Sequence, residues 1–196
     1  MTTVLLAHGA GAGQSHPVMQ GWAGRLDVLG DVVPFEYDYM AAGKKAPQRL
    51  PALLKTHRQH LNAARAEHGE PVILVGKSMG GRVGCHLALE EPVACVVCLG
   101  YPLQSPKGTL RDQVLYDLRV PIFFVQGTRD RLCPLDTLAD VRGRMTAPSG
   151  LHIVEDGDHS LIVAKRTLKA TGTTQDDHDR AALAAIQAFV AEHVAG

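Results

Sequence analysis

The sequence predicts a three-layer α/β sandwich, a mostly parallel sheet of about six strands with helices on both faces. Two observations carry this. Short apolar runs alternate with segments of helical periodicity, the β-α-β-α order of an α/β protein. Most of the runs are near-continuous Val, Ile, Leu and Phe rather than alternating, as strands buried on both faces are.

The first run, TVLLAHG (3–9), ends in glycines. A helix is expected next, capped by Ser15 with Pro17 in its first turn, running towards Gly30. DVVPFEYD (31–38) is the weakest strand, because Pro34 cannot donate to a ladder and suits an edge or a bulge. Leu50, Leu53, Leu54, Leu61 and Ala64 share one face of a long helix, which Gly69 and Pro71 stop. PVILVGKS (71–78) reads as the next strand, and MGGRVGCHLALEE as a helix with Val83, Leu87 and Ala88 on one face. VACVVCLG (93–100), PIFFVQGTRD (121–130) and LHIVEDGDH (151–159) follow as strands, with PLDTLADVRGRM as the helix between the last two. KATGTTQDDHD (169–179) reads as a surface loop. The last helix turns Leu183, Ile186, Phe189 and Val190 inward.

The length of 196 residues predicts one domain over the whole chain, 1–196. Lys+Arg and Asp+Glu both number 20, so no basic excess calls for nucleic acid. No apolar run reaches the ~20 residues of a membrane span. Val4–Ala7 is too short for a signal peptide and lacks a basic flank, so a cytoplasmic location is the default expectation. Cys95 and Cys98 form a C-x-x-C inside a strand. Residues three apart on a strand point to opposite faces, so the pair is expected in the core and no metal is expected.

The stretch VILVGKSMGG (72–81) admits two machines. A phosphate-binding P-loop needs a glycine five positions before Gly76, where Pro71 stands, and it needs as loop the residues that form the strand. Gly76-Lys77-Ser78-Met79-Gly80 instead fits G-x-S-x-G, a nucleophile elbow between strand and helix. The turn is tight, so small residues flank Ser78 at two positions on either side. It aims the backbone N–H of Met79 at the place where a substrate oxygen becomes negative.

An elbow demands an acid and then a histidine, each after a later strand. Asp130 follows PIFFVQG and His159 follows LHIV, in that order. Asp130 as a mere helix cap, or Asp136 as the acid, are the alternatives. Most of the ten histidines, such as His57, His60 and His68, read as surface residues. LLAHGAGAG after the first strand offers the second oxyanion donor, Ala10 N–H or its neighbours at Gly9 and Gly11. The same glycines half-match a dinucleotide fingerprint, but Gln14 takes the third glycine position, and that reading leaves Ser78, Asp130 and His159 without a role.

HGAGAG, GKSMGGR, LGYPL, QGTRD and GDHSL in this order resemble the α/β-hydrolase superfamily over nearly the whole chain. More narrowly, the chain resembles its small dienelactone-hydrolase-like branch, akin to a testis-expressed eukaryotic α/β-hydrolase-domain protein. The resemblance implies a Ser-Asp-His triad and no cofactor. Dienelactone hydrolases use a cysteine nucleophile where this chain has Ser78, so their activity does not carry over.

Between Tyr101 and Val120 there are about 20 residues, an ordinary crossover rather than a cap domain. An open site is therefore expected, lined by Ala10, Met79, Tyr101, Leu132 and Leu161. The expected chemistry is hydrolysis of a small ester or thioester by Ser78, His159 and Asp130. The rival is a hydrolase-fold protein kept for binding or scaffolding. Arg82 is expected to pair with Glu36 or Asp38, on the assumption that their strand neighbours the elbow strand. Solvent exposure and contact with an anionic substrate are the other readings.

Overall fold

The computed structural model describes residues 2–194. Its strands are β1 (Thr3–Ala7), β2 (Asp31–Phe35), β3 (Val72–Lys77), β4 (Cys95–Leu99), β5 (Ile122–Gly127) and β6 (Ser149–Val154). The helices are α1 (Pro17–Leu26), α2 (Asp38–Ala41), α3 (Leu50–His68), α4 (Met79–Leu87), α5 (Gln113–Asp117), α6 (Leu135–Arg144), α7 (Lys165–Thr171) and α8 (Gln175–His193). All six strands are parallel, in the order β2-β1-β3-β4-β5-β6. Pro34 lies on β2, which pairs with β1 alone at the sheet edge, so its missing N–H costs no ladder bond.

The period of two along each strand divides the core into two halves. Leu5, Leu74, Val96, Cys98 and Phe124 face α3, α4, α5 and α6. Val4, Ile73, Val75, Cys95 and Val125 face α1 and α8. Cys95 and Cys98 thus belong to opposite cores, as the strand period requires. Cys85 and Cys133 are buried as well. Among the described residues no helix is long and apolar enough to cross a membrane.

Several local expectations shift. His16, not Ser15, caps α1, its Nδ1 accepting the Val18 N–H at 3.3 Å. Pro17 takes the first helical position, which makes the residue before it the cap. Residues 169–171 belong to α7 rather than to a loop. Gly172 ends that helix in the left-handed region (φ 69°), and Thr174 opens α8 with a capping box to Asp177. His57 is not a surface residue. It is buried beside Phe35 and Tyr37, and burial, with the nearby His60, lowers its pKa to about 3, so it is neutral.

The strand order reverses at β1. From it the chain steps out to β2, then returns past β1 to β3. The connections after β1 and β3 therefore leave on opposite faces of the sheet and open a crevice above its C-terminal edge. His8, Gly9 and Ala10 lie at one side of this crevice and Ser78 at the other.

Candidate active site

Ser78 sits where β3 turns into α4, with φ 51° and ψ −114°. That conformation is rare for a residue with a Cβ and costs about 1–3 kcal/mol, held by the packing around it. A Cβ on Gly76 would stand 2.1 Å from Gly81 N, and one on Gly80 would stand 2.7 Å from the carbonyl oxygens of Ala7 and His8. The helix can follow the strand so closely only because both side chains are absent. We expect Gly80→Ala to cost about 1–3 kcal/mol by overpacking, seen as a fall of several degrees in Tm. An unchanged Tm would mean that the junction is loosely packed.

Three loops bring distant residues to this turn. Asp130 stands after β5, its side chain wholly buried. Its Oδ1 accepts the Leu132 N–H at 2.8 Å, and its Oδ2 accepts the Gln126 amide at 2.5 Å. Gln126 is held in turn by the Tyr101 N–H, which donates to its Oε1 at 3.0 Å. Asp130 does not cap α6, which begins after Pro134. Asp136 lies exposed in the first turn of that helix.

His159 stands after β6 in a turn built by Asp158, whose Oδ1 accepts the N–H groups of Ser160 (2.8 Å) and Ile162 (3.0 Å). The imidazole lies 2.7 Å from Asp130 Oδ2 through Nδ1 and 2.7 Å from Ser78 Oγ through Nε2. A carboxylate at Nδ1 demands that Nδ1 carry the proton, which leaves Nε2 to accept from the serine hydroxyl. Burial would push the Asp130 carboxyl up. The His159 hydrogen bond and charge, the Leu132 N–H and the Gln126 amide outweigh it and lower the pKa, so the group stays ionised at neutral pH.

The loop after β1 is fixed by His8, which is fully buried. Its Nε2 accepts the Tyr37 N–H at 3.1 Å, so Nδ1 bears the proton and donates to the Gly9 carbonyl at 2.6 Å. Burial lowers its pKa and keeps it neutral. The Tyr39 hydroxyl donates to the Ala10 carbonyl at 2.9 Å.

Ser78 lies between two hollows. The first, about 350 Å³, has Ala10, Ala12, Met19, Leu132 and His159 in its walls. The second, about 460 Å³, is walled by Ala10, Met79, Leu53, Leu132, Arg82 and others. Ala10, Met79 and Leu132 thus stand where the sequence suggested. Tyr101 and Leu161 do not line the site. Tyr101 is fully buried, edge-on to Phe124 with its hydroxyl donating to the Arg111 carbonyl at 3.3 Å. Leu161 is buried against the other core, in a left-handed turn with φ 66°. In each case the side chain follows the core.

The expected Arg82 ion pair is also absent among the described residues. β1 separates β2 from β3, and the Glu36 carboxylate instead accepts the Gln14 N–H at 3.1 Å. Gln14 also donates to the carbonyls of Leu6 (2.7 Å) and Phe35 (2.8 Å), tying β1 to β2.

Lys77 and Gln126 escaped the sequence reading. Both are polar residues at the ends of otherwise apolar strands, which is the one signal in the sequence that points to them. Lys77 is 7% exposed, and its Nζ donates to the His159 carbonyl at 2.6 Å. Burial, against the weaker pull of Asp130 and Asp158, lowers its pKa from 10.5 to about 8. The unfolded chain then binds more protons than the folded one between about 8 and 10.5. Stability from this group rises with pH across that window. Its cost is full below about 8, on the order of 3 kcal/mol, and vanishes above 10.5. The stability of the wild type relative to Lys77→Met should therefore increase from neutral pH to about pH 10 in denaturant titrations. A difference that stays flat with pH would contradict a buried, charged Lys77.

Residues 1–191 match the family model described as an alpha/beta hydrolase domain. The chain belongs to the α/β-hydrolase family. A lidless α/β serine hydrolase from Xanthomonas campestris is similar in structure, with a TM-score of 0.73 and 16% identity over 100% of this chain and 83% of that one. An esterase from Pyrococcus furiosus gives 0.73 at 15% identity, covering 99% and 83% of the two chains. Dienelactone hydrolase from Anabaena variabilis gives 0.70 at 17%, covering 99% and 87%. At these identities the likeness is one of fold. It is the lidless form of the α/β-hydrolase fold. The segment between β4 and β5 adds only the bridge Gln104–Leu110 and the short α5, leaving both hollows open.

Proposed function

We propose that this α/β hydrolase transfers the acyl group of a small ester or thioester to water. The observation that carries this is the unbroken chain Ser78 Oγ–His159 Nε2 and His159 Nδ1–Asp130 Oδ2, 2.7 Å at each link. Ser78 attacks the carbonyl carbon while His159 Nε2 takes its proton. Asp130 holds the tautomer and stabilises the imidazolium. The N–H of Met79, first in α4 and so without an intrahelical partner, and the N–H of Ala10 receive the oxyanion. His159 passes its proton to the departing alcohol or thiol. Water then attacks the acyl-serine, giving up a proton to His159, and the acid leaves as Ser78 recovers its hydrogen.

The two hollows accept the two arms of the substrate. Assay of p-nitrophenyl acetate, butyrate and decanoate, with an acetyl thioester beside them, tests the reading. Turnover of the short esters supports it. No turnover of any ester or thioester by folded protein would overturn it.

A further inference from the structure

The second hollow carries charge that nothing in the protein balances. Its walls include Ser78 and, one turn further along α4, Arg82, with Arg111 and Gln48 beside them. Arg82 and Arg111 also share the adjoining hollow, so the two cations stand at a common boundary. Among the described residues neither lies within ion-pair distance of a carboxylate, and neither side chain donates a hydrogen bond. The Nε of Arg82 is buried with no partner. Several exposed arginines, such as Arg49 and Arg131, also lack a carboxylate partner. Of the other half-buried ones, Arg25, Arg58 and Arg65 meet carboxylates and Arg142 donates to Ser149, so the two in the hollow stand apart among the half-buried, described arginines. Asp112, in the adjoining hollow, is not within ion-pair distance of either and accepts the Tyr116 hydroxyl at 2.8 Å. His86, on the same boundary, adds no negative charge.

The placement is costly on several counts. A cation in the first turn of a helix opposes the helix dipole. Two like charges at a partly desolvated site repel each other. Burial and then the charge of Arg82 lower the Arg111 pKa. The Gln48 Oε1 is buried without a partner as well. One bound anion would balance both guanidiniums. A guanidinium matches a carboxylate with two parallel hydrogen bonds. Between this end and Ser78 the walls are Leu53, Met79, Pro102 and Leu132, which suit methylene groups.

We propose that the second hollow is an anion-terminated acyl subsite, and that the substrate is the half-ester or half-thioester of a short dicarboxylic acid. Its scissile carbonyl lies at Ser78 and its free carboxylate between Arg82 and Arg111. The assignment rests on Ser78 as nucleophile, whereas the subsite itself is open to test without any chemistry.

Calorimetric titration with adipate, on wild type, Arg82→Gln and Arg111→Gln, tests the subsite directly. Wild type should bind adipate, and each variant should bind about 10- to 100-fold more weakly, the range for a hydrogen bond to a charged group. Kinetics then compare phenyl hydrogen adipate with its neutral isostere phenyl 6-oxoheptanoate. The ratio of kcat/KM for the anionic ester to that for the neutral one should fall by a similar factor in each variant. Absence of adipate binding to wild type overturns the subsite, and so does equal binding by wild type and both variants. Turnover of both esters with a ratio unmoved by either substitution overturns it too, while leaving the hydrolase standing. Adipate binding lost in the variants, with neither ester turned over, would uphold the subsite and sink the hydrolase.

Discussion

Ser78→Ala is expected to lower kcat by about 10⁶ while leaving the protein folded, as loss of the nucleophile does when three groups act as a unit. The side chain removed is small. The strain at φ 51° is held by the backbone around it, through the Ser78 N–H to the Leu99 carbonyl (3.1 Å) and the Arg82 N–H to the Ser78 carbonyl (3.1 Å). Neither bond involves the hydroxyl, so the melting temperature should stay close to that of the wild type. Initial rates on a short ester at saturation, with a thermal melt on the same sample, check it. A folded Ser78→Ala protein with wild-type turnover would place the chemistry elsewhere.

Asp130→Asn should cost about 10⁴ in kcat, the size of effect that the wrong imidazole tautomer produces in a serine protease. Asp130 has three hydrogen-bond partners on its two oxygens, and the Gln126 amide already points an N–H at Oδ2. In the variant, a side-chain oxygen that keeps the Leu132 N–H turns the NH₂ towards His159 Nδ1, while the opposite orientation sets the NH₂ against the Leu132 N–H. In the first, Nδ1 must accept, so Nε2 bears the proton and cannot take one from Ser78. Asp136→Asn, exposed on the first turn of α6, should leave kcat nearly unchanged. The reverse pattern, loss with Asp136→Asn and none with Asp130→Asn, would make Asp136 the acid. The double variant Ser78→Ala/Asp130→Asn should be no slower than Ser78→Ala alone, because the groups act together.

Sequence reasoning reached the strands because their apolar runs are continuous, and it reached the fold class because helices alternate with them. Ser78, Asp130 and His159 stood out because each follows such a run, and the structure brings them within hydrogen-bond distance. Lateral strand order is different. Nothing local in DVVPFEYD says that β1 will intervene between it and β3, so the Arg82 partner was misassigned. Side-chain direction in a turn was equally hidden. Tyr101 and Leu161 flank the site along the chain, yet their side chains go to opposite cores, because large apolar groups there gain more from burial than from lining an open cleft. Gly172 and Thr174 carried a helix stop and a helix start within a polar run, and composition masked both signals.

The central claim is that Ser78 is an activated nucleophile, and covalent labelling tests it most directly. An alkyl fluorophosphonate, followed by peptide mapping, should add one phosphonyl group to the peptide that holds Ser78. The adduct should be absent in Ser78→Ala and after denaturation, and strongly reduced in His159→Ala. A folded wild-type protein whose Ser78 stays unmodified, in a mixture where an added serine esterase is fully labelled, would contradict the account.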